Sequence, residues 1–173
     1  TTDRVRETLF NWLGQNLHGL RCLDMFAGSG VLGFEALSRG AKEVVFLESQ
    51  AAVFSMLELN LKQLGEPPNG SKAQLIKTNA LSWVQKMTPS EFDIVFIDPP
   101  FADAKILADS LSLANGLLKQ STLAVIYVEC PFETSDSFIL ADLPGWEIDR
   151  QMVAGSAKAS LLRKNESETI SHI

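Results

Sequence analysis

Ligands for metal and sulfur bridges are scarce in this chain. It holds two cysteines, Cys22 and Cys130, and two histidines, His18 and His172. Both cysteines fall inside apolar, strand-like runs, where a thiol acts as a small buried hydrophobe, and neither histidine has a partner at ligand spacing. A disulfide framework and a metal centre are therefore not expected. No apolar run approaches the roughly 20 residues of a membrane helix, and no signal-peptide pattern opens the chain, which leads to the expectation of a cytoplasmic protein with no membrane partner. The chain opens at Thr1 rather than at a methionine, so a further segment is expected upstream.

Positive charge is also short. The formal net charge is −6, which argues against generic attraction to nucleic acid, although local basic groups can coexist with it. Arg4 with Arg6, and Lys158 with Arg163 and Lys164, are two such groups, each equally readable as solvated surface. What the chain does have is apolar residues, 46% of 173 positions. That suits one domain over residues 1–173, with an N-terminal helix and loop at 1–19 and a frayed tail at 165–173.

The most informative stretch runs from Leu20 to Gly33. Leu20 to Phe26 reads as a buried strand, Ala27-Gly28-Ser29-Gly30 as a tight turn, and Val31, Leu32, Phe34 and Leu37 as a helix stopping at Arg39-Gly40. Glycines let a ligand come close to the backbone, and the helix N-terminus offers unpaired N–H groups beside it. Gly28-Ser-Gly30-Val-Leu-Gly33 matches the dinucleotide pattern G-x-G-x-x-G, and Glu48 closes the next apolar run where a ribose-binding acid belongs. NAD enzymes and S-adenosylmethionine (AdoMet) enzymes both hold an adenosine this way. Asp24, inside the first strand, could meet a cationic ligand or anchor the turn.

The remaining chain alternates strands and helices. Val5, Leu9, Phe10 and Leu13 share one face of a helix begun by Thr2 or Asp3 and ended by Gly14, whose polar start, Thr1 to Arg6, either packs plainly or closes over a cofactor. A helix over 51–64, strands over 74–78, 92–98 and 122–130, a brief helix over 81–86 and another over 106–118 follow. From Pro131 the pattern weakens, and 146–152 and 159–163 read as late strands forming an antiparallel hairpin. The pattern predicts a doubly wound α/β sheet, with ligands beyond the carboxyl ends of its strands. Ala27 to Gly30, Glu48, Asn79 and Asp98 to Phe101 all follow such ends.

Asp98-Pro99-Pro100-Phe101 carries the second chemical signal. Two prolines remove backbone donors and stiffen the loop, leaving carbonyl oxygens free. A carboxylate, a bare carbonyl and an aromatic ring suit an exocyclic amine on a planar base, the ring stacking while the oxygens accept N–H hydrogens. With the glycine turn and Asp24, this points to a methyltransferase. The alternative is a proline-rich turn with a buried phenylalanine.

Asp98-Pro-Pro-Phe resembles the [D/N]-P-P-[F/Y/W] motif of amino-methyltransferases, and Asp24 to Gly30 resembles motif I of class I AdoMet-dependent enzymes. Thr1 to Asn11 together with Leu23 to Gly30 is more specific. It resembles the bacterial small-subunit (16S) ribosomal RNA guanine-N2 methyltransferase D family, along most of the chain to about Leu162. The resemblance implies a seven-stranded, mostly parallel Rossmann-like methyltransferase sheet with an antiparallel C-terminal hairpin. It implies AdoMet as cofactor, S-adenosylhomocysteine as product, and 16S rRNA as partner, within a partly assembled small ribosomal subunit. The implied cofactor set is Asp24, Phe26, Ala27, Gly28, Ser29, Gly30, Glu48, Ser49, Asn79, Ala80 and Leu81. Gly28 and Gly30 would approach the amino-acid part, Glu48 the ribose hydroxyls, and Asn79 to Leu81 the adenine. Asp98, Pro99, Pro100 and Phe101 would be catalytic, with Arg4, Arg6 and Phe101 on the RNA. Family members often carry Asp-Ala where Asn79-Ala80 stands, and begin with a Gly- and Arg-rich segment that the sequence from Thr1 onward does not include. Rival readings are an adenine-N6 or cytosine-N4 nucleic-acid methyltransferase, an NAD-dependent oxidoreductase, and a non-catalytic RNA-binding Rossmann domain.

Overall fold

The computed structural model describes residues 1–89, 91–100 and 103–165. Helix α1, Asp3–Leu13, starts where the Thr2 hydroxyl accepts the Val5 N–H and ends at Gly14, whose positive φ of 101° turns the chain out of the helix. Then come β1 (Arg21–Asp24), α2 (Val31–Ser38), β2 (Glu43–Glu48), α3 (Ala51–Leu64), β3 (Lys72–Lys77) and α4 (Ala80–Gln85). The second half holds β4 (Ile94–Ile97), α5 (Ala104–Leu117), β5 (Val125–Pro131), α6 (Asp136–Leu140), β6 (Trp146–Ala154) and β7 (Ala157–Lys164).

The strands form one seven-stranded sheet in the order β3-β2-β1-β4-β5-β7-β6. The first five are mutually parallel, while β7 runs antiparallel to both β5 and β6. Parallel strands are joined by helices that cover both faces, so the central strands are apolar on both sides. Alternation then sorts their side chains. Leu23, Val45, Val95, Ile97, Ile126 and Val128 face the core under α4, α5 and α6, while Cys22, Val44, Phe46, Ile94, Phe96 and Tyr127 face the core with α1, α2 and α3. Val5, Leu9 and Phe10 bury α1 in the latter.

The order reverses between β1 and β4: from β1 the chain winds outward to β3, then returns to β4 and winds the other way. The crevice beyond their carboxyl ends is the switch point where α/β sheets hold ligands. Three details differ from the sequence expectation. The late strands do pair antiparallel, but β7 slots between β5 and β6, so the last strand in sequence is not the edge. Helix α6, capped by the Ser135 hydroxyl, was not expected, because five residues are too few for periodicity. Asn165, assigned to a frayed tail, is tied down by its N–H to the Gly145 carbonyl at 2.6 Å. The rest of that tail, 166–173, lies outside the described residues.

Candidate active site

A cavity of about 660 Å³ opens beyond the carboxyl ends of β1, β2, β3 and β4. Its first wall is the glycine turn. The ladder ends after Asp24, but Met25 N–H still reaches the Phe96 carbonyl at 3.1 Å and Ala27 N–H the Leu47 carbonyl at 2.9 Å, so the turn hangs from both neighbouring strands. Gly28 adopts φ 56°, and a Cβ built there would meet no protein atom, so this backbone faces open space. Gly30 differs. It caps α2 at φ 91°, but a Cβ there would overlap Phe34 and Leu57, so its smallness serves internal packing, and it does not line the cavity. A Cβ on Gly33 would overlap the Phe46 ring, which makes the third glycine of the pattern a helix-to-sheet contact.

Glu48, at the end of β2, is already engaged. One carboxylate oxygen accepts the Gly28 N–H at 3.1 Å and the other the Gln50 N–H at 2.8 Å. It therefore braces the glycine turn from the neighbouring strand, leaving further lone pairs for a ligand. Asn79 caps α4, its Oδ1 accepting the Ser82 N–H at 3.0 Å. Its amide nitrogen has no hydrogen-bond partner among the described residues.

Asp24 is the unusual group here. It is 1% exposed, and neither carboxylate oxygen receives a hydrogen bond of normal length and angle. The Gly33 and Phe26 N–H groups lie near enough to offset only part of the cost: burial, reinforced by the Asp98 charge, pushes the carboxyl up to about 7. A buried, unpaired acid on a cavity wall is expensive unless a cation or donor meets it.

The other wall is the loop after β4, where Asp98, Pro99 and Pro100 line the cavity. The Thr1 hydroxyl lies 2.6 Å from Asp98 Oδ2 and 2.9 Å from Glu129 Oε2, and the Tyr127 hydroxyl donates to that same Oε2 at 3.0 Å. Burial, then the neighbouring Glu129 charge, raises Asp98 to about 6 against a partial offset from the Thr1 hydroxyl. Pro99 also lines a second cavity of about 350 Å³, walled by Glu129, Leu107 and Phe138 among others.

The larger cavity thus brings together Asp24, Phe26, Ala27, Gly28, Ser29, Glu48, Ser49, Asn79, Ala80, Leu81, Asp98, Pro99 and Pro100. Phe101 lies outside the described residues. Arg4 and Arg6 do not line the cavity: Arg4 is exposed, and Arg6 pairs with Asp3 at 3.3 Å. Thr1 alone from the polar start of α1 reaches it. Sequence reasoning missed Gln50, Val53, Thr78 and Ile106 on the wall, none of which carries a motif. It also passed over Glu129, although a carboxylate closing the apolar run of β5 is the same signal that singled out Glu48. Among the described residues, no cluster of His, Cys, Asp and Glu could hold a metal ion, and no helix is long and apolar enough to cross a membrane.

Comparison with known proteins agrees with this geometry. The family described as conserved hypothetical protein 95 matches residues 1–163. Ribosomal RNA small subunit methyltransferase D of Escherichia coli (strain K12) is 41% identical over 167 residues, covering 95% of this chain and 78% of its own length. The protein of the same name from Haemophilus influenzae is 47% identical over 131 residues, 75% of this chain and 66% of its own. The solved structure of Escherichia coli yhhF, described there as a candidate methyltransferase, superposes with a TM-score of 0.77 at 37% identity, covering 95% of this chain and 87% of that one. With a family model spanning nearly its whole length and a 41% identical relative matched over 95% of it, the chain belongs to the ribosomal RNA small subunit methyltransferase D family.

Proposed function

We propose that this protein transfers a methyl group from AdoMet to the exocyclic N2 amine of one guanine in 16S rRNA. The observation that carries this reading is the meeting, in one cavity, of a braced glycine turn with a rigid Asp98-Pro99-Pro100 loop. The residues fit AdoMet. Gly28 leaves space where a side chain would stand, Glu48 offers acceptors to a ribose, and the orphaned carboxylate of Asp24 awaits a cation. Bound AdoMet supplies a methyl on a positively charged sulfur, already a good leaving group.

The protein's task is then alignment and charge placement. Guanine N2 shares its lone pair with the ring, and accepting its hydrogens favours the pyramidal form in which that pair is free. Asp98 and the Pro99 carbonyl supply the acceptors, fixed in advance by a loop with few backbone donors. AdoMet, held by the cavity residues, would supply the methyl and leave as S-adenosylhomocysteine, and the proton released from N2 would pass to Asp98 or to water. An acid raised to about 6 suits that acceptor role near neutrality.

The test is transfer of labelled methyl to protein-free 16S rRNA and to partly assembled small subunits, followed by mass mapping of nucleosides. N2-methylguanosine at one position is expected, whereas N6-methyladenosine or N4-methylcytidine would establish the rival amine chemistry. Asp98→Ala should keep AdoMet affinity and slow single-turnover transfer by about 10² or more, as for loss of one preorganised acceptor. Because Asp98 can take up the proton and offer both oxygens only when ionised, the parent rate should fall as pH drops through about 6. Asp98→Asn should lose that limb of the profile. A loss of activity in Asp98→Ala that merely follows loss of AdoMet binding would remove it from the transfer step.

A further inference from the structure

We propose that Glu129 selects the base: with Asp98 it forms a pair of acceptors complementary to the N1–H and N2–H₂ donors along one edge of guanine. This rests on the guanine-N2 reading above and adds to it the residue that tells guanine from adenine and cytosine.

The two carboxylates are neighbours across the sheet. Asp98 follows β4, Glu129 closes the parallel strand β5, and the Thr1 hydroxyl lies within hydrogen-bond reach of both, at 2.6 Å and 2.9 Å. One hydroxyl has one proton to give, so it cannot satisfy both at once. Tyr127, two residues earlier on the same strand face and fully buried, donates to Glu129 Oε2 and holds that carboxylate's orientation. The Lys and Arg ion pairs among the described residues fall on other acids, and the cation beside the pair is the Thr1 amino group, 3.8 Å from Asp98 Oδ2. Two adjacent, partly buried carboxylates without a basic side chain repel one another, which is the second reason, after burial, that Asp98 is raised. The two carboxylates hold more acceptor sites than the Thr1 and Tyr127 hydroxyls fill, and a ligand bringing two donors would use them.

The pair also stands where a base would lie. Asp98 lines the larger cavity, Glu129 the smaller, and Pro99 borders both. The smaller cavity adds apolar walls from Leu107 and from Phe138, which is 38% exposed at its rim. Guanine presents N1–H beside N2–H₂, donor next to donor. Adenine and cytosine present a bare ring nitrogen beside their amine, so one carboxylate would face an acceptor and stay unpaired. Selection therefore falls on the carboxylate opposite the ring nitrogen, and Asp98 is already committed to the amine.

RNA carrying 2,6-diaminopurine at the mapped target isolates this contact, because that base keeps the 2-amine and replaces N1–H with an acceptor. In single-turnover transfer the parent should favour guanine over 2,6-diaminopurine by about 10-fold to 100-fold, the range for one hydrogen-bonded base contact. Glu129→Gln keeps an oxygen for the Tyr127 hydroxyl and offers the ring nitrogen an N–H donor. Its preference for guanine should fall about tenfold or more, with AdoMet affinity and melting temperature unchanged. Equal parent rates on the two bases would overturn the proposal, as would an unaltered preference in Glu129→Gln. Loss of transfer to both bases with AdoMet binding intact would also overturn it, by assigning Glu129 to the transfer step. If the parent methylates no guanine at all, the guanine-N2 reading itself fails, an outcome distinct from these three.

Discussion

Glu48 shows how one side chain joins fold and site. Its carboxylate holds the Gly28 and Gln50 N–H groups, so removing it loosens the glycine turn and, on the proposed reading, also deletes the acceptors for the ribose. Glu48→Ala should weaken AdoMet by about 1.5–3 kcal/mol, the range for hydrogen bonds to a charged group, as read by calorimetry. Asp24 makes the opposite trade. Its folded pKa, about 7, is above its ordinary value of 3.8, so the native state holds a proton that the unfolded chain releases. The resulting stabilisation is full below pH 4 and lost as pH rises through 7. Asp24→Asn should therefore be more stable than the parent at pH 8, by about 2–4 kcal/mol relative to any difference at pH 4, in paired denaturant melts. On the proposed reading the same variant should also bind AdoMet less tightly, since there the buried Asp24 charge would meet the sulfonium.

At the scale of elements, the contact between α2 and β2 sets where the glycine turn points. Gly33 lies flat against Phe46, itself packed on Phe34 at 4.9 Å between ring centroids. By helix propensity alone Gly33→Ala would gain up to about 1 kcal/mol. The overlap with Phe46 should outweigh that, giving a net loss of about 1–3 kcal/mol in thermal or denaturant melts. Adding Phe46→Leu, which shortens the obstructing ring, should recover part of the loss. The strand–turn–helix unit was readable because an apolar run, clustered glycines and helical spacing coincide within 20 residues. The order β5-β7-β6 was not. Ala157-Lys158-Ala159-Ser160 does not read as an interior strand, yet Lys158 and Ser160 are buried there, the lysine bonded to the Thr134 carbonyl and to Asp136 and the serine hydroxyl to Gln151. Partners supplied from distant segments make that burial affordable, and local sequence does not reveal them.

For the whole molecule, charge bears on how the proposed RNA substrate would be met. A net charge of −6 leaves little generic attraction, and several basic side chains are already occupied: Arg6 by Asp3, Lys158 by Asp136, Arg163 by Asp149, with Lys164 over the Trp146 ring. RNA binding by this chain should therefore show a shallow salt dependence, with a log–log slope of about −2 or smaller in magnitude. Recognition must draw on shape and an exposed base instead. Transfer should be faster on a partly assembled small subunit than on unrelated duplex RNA, compared at equal salt. Equal rates on both would contradict this.

The sequence alone determined the chemistry on offer and its location along the chain. Asp24, the glycine turn, Glu48, Asn79 and the Asp98 loop each end or follow a strand, and alternation of strands with helices puts such ends on one side of a parallel sheet. Tertiary structure decided which groups face one another. Thr1 reaches Asp98 only because Val5, Leu9 and Phe10 bury α1 on the sheet, and Glu129 stands beside Asp98 only because β5 pairs with β4. It also decided that Asp24 is left without a full hydrogen-bond partner and that Gly30 serves packing rather than a ligand. Local pattern records which side chains a strand end carries. The neighbours that desolvate, orient or repel them come from residues far along the chain, and those neighbours turn a row of polar strand ends into a site.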